Sequence, residues 1–490
     1  MVKYFRLISG VSALLWDRME YMRMKLDYRK TVLVGFAFFL ISAFWQAYDA
    51  IVPLILTNHF ALPQTASGAI MSLDNVLAVF LLPIFGAISD KIDTKRGKRT
   101  PFIFFGSIAA VISFICLTFI DNYQITRLTS AGISDAMGNA TEAETQELMK
   151  KTLDMTLSNP WPLIGFIALL LVVLLSMATF RSPAVALMPD VTVKPLRSKG
   201  NAIINLMGTA GGISVLVLGM VFGTSKDKYM KYTGYVIAVC AIMLLGLLIF
   251  LFTVKEKKWA EEMEEESKRL GLDAPADEKS AKEERALSKP ELKSLLLILA
   301  SVALWYIGYN SITSKYSVYA ENILHFDFNF TLIIAQVAAI ISYIPVGIIS
   351  SKFGRRKTIL IGIIILASAF FAGNFITAKS PEFIMMPIFI LAGIGWATIN
   401  VNSFPMVVEL AKGGDVGKYT GYYYTASMSA QIVAPIVSGL LYDIFTMRIM
   451  FFAFGTLFVA LSFITMFFVK HGDCAPERRG VLESLDVEDD

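Results

Sequence analysis

The sequence predicts an all-α polytopic membrane protein: twelve transmembrane helices in two pseudo-symmetric six-helix bundles. Three observations carry this. The 490 residues are 55% hydrophobic and only 17% charged, with mean hydropathy +0.60; an ordinary soluble domain is about 25% charged. Apolar runs of ~20 residues return along the whole chain. Basic residues gather in alternate loops, and two of those loops repeat each other in register. The composition excludes a soluble globular enzyme and a disordered chain.

Twelve apolar spans follow in order: 31–57, 66–89, 101–121, 161–189, 201–223 and 233–254, then 294–320, 330–350, 358–376, 383–409, 419–442 and 449–469. Each is long enough to cross a hydrocarbon core of ~30 Å at ~1.5 Å per residue. If the N-terminus is cytoplasmic, 34 of the 44 lysines and arginines fall in inner segments and 8 in outer ones. That bias places both termini in the cytoplasm and the chain in the cytoplasmic membrane. Segment 1–30 is basic with a short apolar stretch at 7–15, and is expected to lie as an interfacial helix on the inner leaflet. No A-x-A-like cleavage site follows it, so a signal peptide is not expected. Segment 31–254 forms the first six-helix bundle, with a long outer loop at 122–160 that holds a helix near 142–157. A charged cytoplasmic linker, 255–293, separates it from the second bundle, 294–469, and a tail at 470–490.

Cys116, Cys240 and Cys474 cannot build a disulfide framework, and no His, Cys or acidic cluster has metal-ligand spacing. Neither a cofactor nor a metal is expected. No G-x-x-x-x-G-K-[ST] motif appears, so an ATP-driven pump finds no support, and nothing points to nucleic acid. The sequons at Asn139 and Asn329 are read as chance.

The internal repeat is the strongest organisational signal. After span 2 the chain reads GAISDKIDTKRGKRTPF at 86–102; after span 8 it reads GIISSKFGRRKT at 347–358. Gly97-Lys98-Arg99 matches Gly354-Arg355-Arg356. Asp190 closes span 4 as Glu409 closes span 10. An acid ending one helix and basic residues starting the next can pair with each other and with the helix termini between them. Asp90, Arg96, Lys98, Arg99, Asp190, Arg355, Arg356 and Glu409 are therefore the candidate gating residues. Two such halves imply a parallel repeat about an axis normal to the membrane.

The 86–99 loop resembles the signature loop of the major facilitator superfamily. More narrowly, SDKIDTKRGKRTPFI at 89–103 is similar to the sucrose-transporter pattern, S-D-basic followed by G-basic-R-x-P-F-I, and ALMPDVT at 186–192 to that family's A-L-L-A-D-L. The wider glycoside–pentoside–hexuronide:cation symporters share the longer loop and its upstream P-x-x-G. The resemblance implies the major facilitator fold, a central cavity lined by spans 1, 4, 7 and 10, and transport of a sugar or glycoside with a proton or monovalent cation. The chain departs from both branches. The melibiose-type sodium branch carries acids where this chain has Ala78 and Leu82, and a sugar-binding aspartate where it has Arg181. Sucrose transporters carry an arginine where it has Val185. Proton rather than sodium coupling is therefore expected.

Charges inside lipid are costly and mark pathways or buried pairs. Asp49 in span 1 and Asp74 in span 2 each sit ~12 Å below the outer boundary, on helices joined by a short loop. They are the candidates for proton or cation coupling. Arg181 sits in the inner half of span 4, and its fork suits carboxylates, phosphates or vicinal hydroxyls. Lys315 is close enough to the outer end of span 7 to snorkel. Trp45, Gln46, Asp49, Arg181, Asn205, Tyr309, Asn310, Trp396 and Asn400 are the candidate substrate residues: aromatic faces for sugar C–H surfaces, amides and carboxylate for hydroxyls. The resulting expectation is a monomeric secondary active transporter working by alternating access. A carrier or exporter of another small organic solute is the alternative within the class. A non-transporting solute sensor is the alternative outside it.

Overall fold

The computed structural model describes residues 26–137, 140–193, 196–270, 287–410 and 416–472. The expected interfacial helix before residue 26, Asn139, residues 271–286, and the tail from 473, with Cys474, lie outside them. Among the described residues the chain is almost entirely helical. Span 1 is Tyr28–Leu54, continued by a π turn at Ile55–His59. Span 2 is Gln64–Met71 and Leu73–Lys91, span 3 Thr100–Ser130, span 4 Trp161–Asp190, span 5 Arg197–Phe222 and span 6 Thr233–Thr253. After the helix Glu256–Arg269 come span 7 (Lys289–Thr313), span 8 (Phe328–Phe353), span 9 (Arg355–Gly373), span 10 (Met385–Val408), span 11 (Val416–Phe445) and span 12 (Met447–Phe467). Eleven of these are long and apolar enough to cross a membrane. Span 8, with a shorter apolar stretch at Phe328–Tyr343, takes the twelfth place.

Local chemistry sets the boundaries. The Asp27 side chain accepts from Lys30 N and starts span 1. Ser288 and Glu291 form a capping box at the head of span 7, with proline in its first turn. Gly223 (φ +67°) closes span 5, and Gly354 (φ +90°) separates spans 8 and 9. Span 3 runs past its expected end at 121 to Ser130, because its polar outer turns are paired: Asp121 with His59 and Gln124 with the His59 carbonyl. The expected loop helix is present as Glu142–Ser158, held by a Thr141–Glu144 capping box. Asn329 is fully buried and donates to Thr224.

The helices are apolar on every side. Phe80, Phe105, Val221 and Phe252 are exposed large hydrophobics on the outside, while Phe44, Phe166 and Trp305 fill the inside. Such helices fit a hydrocarbon solvent. Small residues let backbones close on each other: a Cβ on Gly211 would meet the Phe39 carbonyl, and one on Gly395 the Leu366 backbone. The contacts obey the repeat. Span 1 packs on 5 and 6 as span 7 packs on 11 and 12; span 4 packs on 2 and 3 as span 10 packs on 8 and 9. The halves meet where span 2 touches 11 and span 5 touches 8.

That seam is polar at one end. Helix Gln64–Met71 follows Pro63, which gives it no side-chain cap. The cap comes from the other half: the Asp443 carboxylate accepts from Gln64 N (2.7 Å), Thr65 N (2.8 Å) and the Thr65 hydroxyl (2.6 Å). Lys315 is fully buried and donates to Ser67 on the same helix at 2.6 Å. Asn322 donates to Asn58 at 2.8 Å, and Asn58 to Glu321 at 3.2 Å. At the basic end, no hydrogen bond or ion pair joins the halves among the described residues. Asp443→Ala removes a helix cap worth about 1 kcal/mol. Amide exchange at Gln64 and Thr65 is expected to quicken by about fivefold. Unchanged exchange there would show that Asp443 does not hold the seam.

Candidate functional site

Spans 1, 2 and 4 bring four of the expected residues together. The Arg181 guanidinium lies 5.4 Å over the Trp45 ring. Trp45, Asp74, Ala78, Leu82 and Arg181 line one small cavity. Asp74 lies within electrostatic reach of both Arg181 and Asp49. Its carboxylate is oriented by its neighbour, accepting from Asn75 N (2.5 Å) and Asn75 Nδ2 (2.7 Å). The Asp49 side chain is exposed to the space between the helices and accepts no hydrogen bond among the described residues. Beside it the Tyr48 hydroxyl and Trp45 Nε1 are buried donors without an acceptor. One turn before Asp49, Gln46 accepts from Gln336 of span 8 at 2.6 Å and so ties the halves at mid-depth.

The second half offers an aromatic wall. Tyr309 stacks on Trp396 with ring centroids 3.7 Å apart and planes 7° from parallel. Tyr306 meets Trp396 edge-on at 5.3 Å. The Tyr306 and Tyr423 hydroxyls lie 3.5 Å apart, and Tyr423 reaches Ser403 at 2.9 Å. The expected amides stand differently. Asn310 donates to the Tyr306 carbonyl of its own helix (2.8 Å), and Asn205 to the Asn201 carbonyl (2.9 Å), so each has committed one of its two N–H donors to its own backbone. Asn400 is half-buried on span 10, one turn from Trp396.

At the basic end the repeated loops form ion pairs inside each half. Arg99 joins Asp190 at 2.8 Å and also bonds Asp90 and Ser89. Arg355 pairs with Glu409. The two arginines are one register apart relative to the aligned glycines: Arg99 stands two residues after Gly97, Arg355 one after Gly354. Arg356 instead bonds the Phe467 carbonyl and lies 5.9 Å over the Phe467 ring, tying span 9 to span 12. Arg96 and Lys98 are exposed, with side chains outside any ion pair among the described residues.

Sequence reasoning missed Glu256, the first residue of the linker helix. It is buried, and its carboxylate accepts from Lys98 N (2.6 Å), Arg99 N (2.7 Å), Thr100 N (2.7 Å) and the Thr100 hydroxyl (2.7 Å). It thus caps the positive end of span 3, whose own cap residue is Arg99. Gly97 (φ +113°) turns the loop into this position, and a Cβ there would overlap the Glu256 carboxyl. Lys257–Asp93 (3.3 Å) and Lys30–Glu262 (2.6 Å) fasten the same helix to the loop and to span 1. Asp443 was missed too, because nothing in sequence links an acid at residue 443 to a helix start at 64. The one available signal was Pro63, a helix start that cannot cap itself.

A Major Facilitator Superfamily model matches residues 34–342 and 327–481. An uncharacterized MFS-type transporter of Methanocaldococcus jannaschii is 27% identical over 283 residues, 55% of this chain. The chain spans 64% of that curated relative's length. The inward-open xylose transporter XylE from E. coli is similar at 13% identity and TM-score 0.61, over 91% of this chain and 97% of that one. A POT family transporter in complex with 5-aminolevulinic acid is similar at 12% identity and TM-score 0.62, over 90% and 96%. At these identities the likeness shows the fold.

Glu256→Ala leaves the amides of Lys98, Arg99 and Thr100 without their acceptor, at a cost of about 1–2 kcal/mol. Trypsin cleavage at exposed Lys95 and Arg96 is expected to speed up by about fivefold or more, with Glu256→Gln between the two. A cleavage rate equal to the parent's in both variants would remove Glu256 from the loop's support.

Proposed function

The chain belongs to the Major Facilitator Superfamily, and on that premise we propose that it carries a sugar or glycoside across the cytoplasmic membrane by proton symport with alternating access. The family and fold are those of transporters rather than enzymes. The observation that carries the substrate reading is the Tyr309–Trp396 stack in one half together with the Arg181–Trp45 pair in the other. Flat aromatic faces suit the C–H surface of a pyranose, while Arg181 and the Asp49 carboxylate suit its hydroxyls. The sequence likeness to sucrose transporters and glycoside–pentoside–hexuronide:cation symporters supports the same class, as does a fold shared with a xylose transporter.

Coupling rests on Asp49 and Asp74. Two carboxylates on neighbouring spans, one of them near Arg181, repel each other when both are charged. A proton on Asp49 relieves that repulsion, and its loss toward one face resets the carrier. Ala78 and Leu82, where the sodium branch carries acids, are apolar walls of the same cavity. This favours a proton over sodium.

Alternating access is supported by the unequal ends: bonds cross the seam at Asp443, Lys315 and Asn58, and none among the described residues crosses it at the basic end. With the basic end cytoplasmic, by the 34 to 8 distribution, this state is open inward. A solute bearing a carboxylate is the second reading, favoured by Arg181 beneath the open space and by the fold shared with peptide carriers. The transporting unit is proposed to be a monomer.

Asp49→Asn with Asp74→Asn is expected to abolish concentrative uptake in proteoliposomes while leaving downhill exchange. Uptake that stays concentrative and undiminished would end the coupling assignment. Trp396→Ala removes a stacking face worth about 1 kcal/mol, and a rise in KM of about fivefold is expected. In a thermal-shift screen saccharides should raise Tm; stabilisation by small carboxylates alone would move the assignment to the second reading.

A further inference from the structure

The connectors after spans 1 and 7 hold the same device, reached from span 7 by way of the short helix Tyr316–Tyr319. Each holds a π turn, Ile55–His59 and Ala320–Leu324, closed by a wide backbone bond: Leu62 N to Leu56 O at 3.0 Å and Phe326 N to Ala320 O at 2.9 Å. Each then passes through a positive-φ residue, Ala61 (+52°) and His325 (+59°). Aligning the two bonds equates Asn58 with Asn322 and Thr57 with Glu321. The two asparagines meet each other across the pseudo-axis at 2.8 Å. The next pair breaks the symmetry. The Thr57 hydroxyl satisfies itself on the Pro53 carbonyl at 2.7 Å. Its counterpart is a carboxyl, 4% exposed, on the closed seam. Glu321 Oε1 accepts from Asn58, and Oε2 has no partner. On the adjacent residue Asn322 Oδ1 is also a buried acceptor without a donor.

We propose that the Glu321 carboxyl is a proton-binding site built into the seam between the halves, occupied while that face is closed and vacated when it opens. The proton forms an O–H bond at Oε2, which supplies the donor that the surplus acceptors lack, and it leaves to water when the face opens. A buried carboxylate with one unsatisfied oxygen is costly, whereas the neutral acid is not. The groups facing Glu321 come from several elements. Lys228 and Asp227 come from the connector between spans 5 and 6, Tyr232 from the residue before span 6, and His325 from its own connector. Lys226 lines the same cavity, and the buried His59–Asp121 pair (2.5 Å) lies behind Tyr232, whose ring stacks on His59. Lys228 favours the ionised form and Asp227 opposes it. Glu321 lies beyond the last residue of span 7, and burial, only partly offset by Lys228, pushes its carboxyl up to about 8. An acid raised in the closed state binds more protons there, so closure is favoured at low pH and lost as pH rises toward that value. Asp49 and Asp74 lie deeper, and this site acts whether or not they carry the transported proton.

The test uses the full chain with Cys116, Cys240 and Cys474 replaced by serine and spin labels at exposed Thr126 and Lys379, one on each half. Distances are measured without substrate from pH 5 to pH 9. The closed-to-open ratio is expected to fall by up to about tenfold per pH unit between about pH 5 and pH 8 and to level off above that. Glu321→Gln, isosteric and neutral, should stay closed with no slope; Glu321→Asp should restore one. The slope should survive in Asp49→Asn with Asp74→Asn. A parent without slope, a slope unchanged in Glu321→Gln, or a slope abolished by the Asp49 and Asp74 changes overturns the proposal. A protein that takes up no sugar yet keeps the Glu321-dependent slope removes the sugar reading and leaves this one standing.

Discussion

Hydrocarbon offers no hydrogen bonds, so every polar group within it must find a partner inside the protein or face a space that water enters. This constraint orders the molecule. The helices spend apolar side chains on all sides, and the few charged groups are confined to three levels. Asp74 and Arg181 line a cavity among spans 1, 2 and 4, with Asp49 within electrostatic reach of Asp74. Arg99, Asp190, Arg355 and Glu409 sit at the basic end. Lys315, Glu321 and Asp443 sit at the opposite end.

The levels differ in what they join. At the basic end each ion pair stays within one half, so it stiffens a bundle and can persist through any motion between bundles. At the opposite end the bonds cross from one half to the other, so any motion that parts the halves there must break them. A carrier needs both kinds: rigid bodies, and contacts cheap enough to break. Single caps and neutral amide pairs of about 1 kcal/mol each meet the second need. A large apolar seam would not.

Much of this was legible in the sequence. Spans and repeat follow from apolar run length and the recurring loop, and the acids and bases of the basic end stand out at helix ends, though not which arginine takes which acid. The intramembrane charges follow from their rarity alone. Three things were hidden. The register between the loops differs by one residue, because Arg356 is claimed by span 12, and glycine alignment could not reveal that. Asn310 and Asn205 carry polar side chains at helical spacing but turn their amides to their own backbones, a choice spacing does not encode. Glu256 sits in a run of charges that reads as solvated surface; only its burial against Gly97 sets it apart.

Pinning Glu256 alters what the middle of the chain is. The helix Glu256–Arg269 belongs mechanically to the first half, held by the span 3 amides, by Asp93 and by Lys30. The covalent connection between the halves is therefore shorter than 255–293: it runs from the end of this helix to the Ser288 cap of span 7. A change of length within that stretch leaves the Glu256 cap where it is. Residues added or removed between 254 and 256 would instead drag the cap off span 3. Divergence in linker length, and any site at which the two halves could be cut apart and expressed as separate polypeptides, is thereby confined to the region after residue 269.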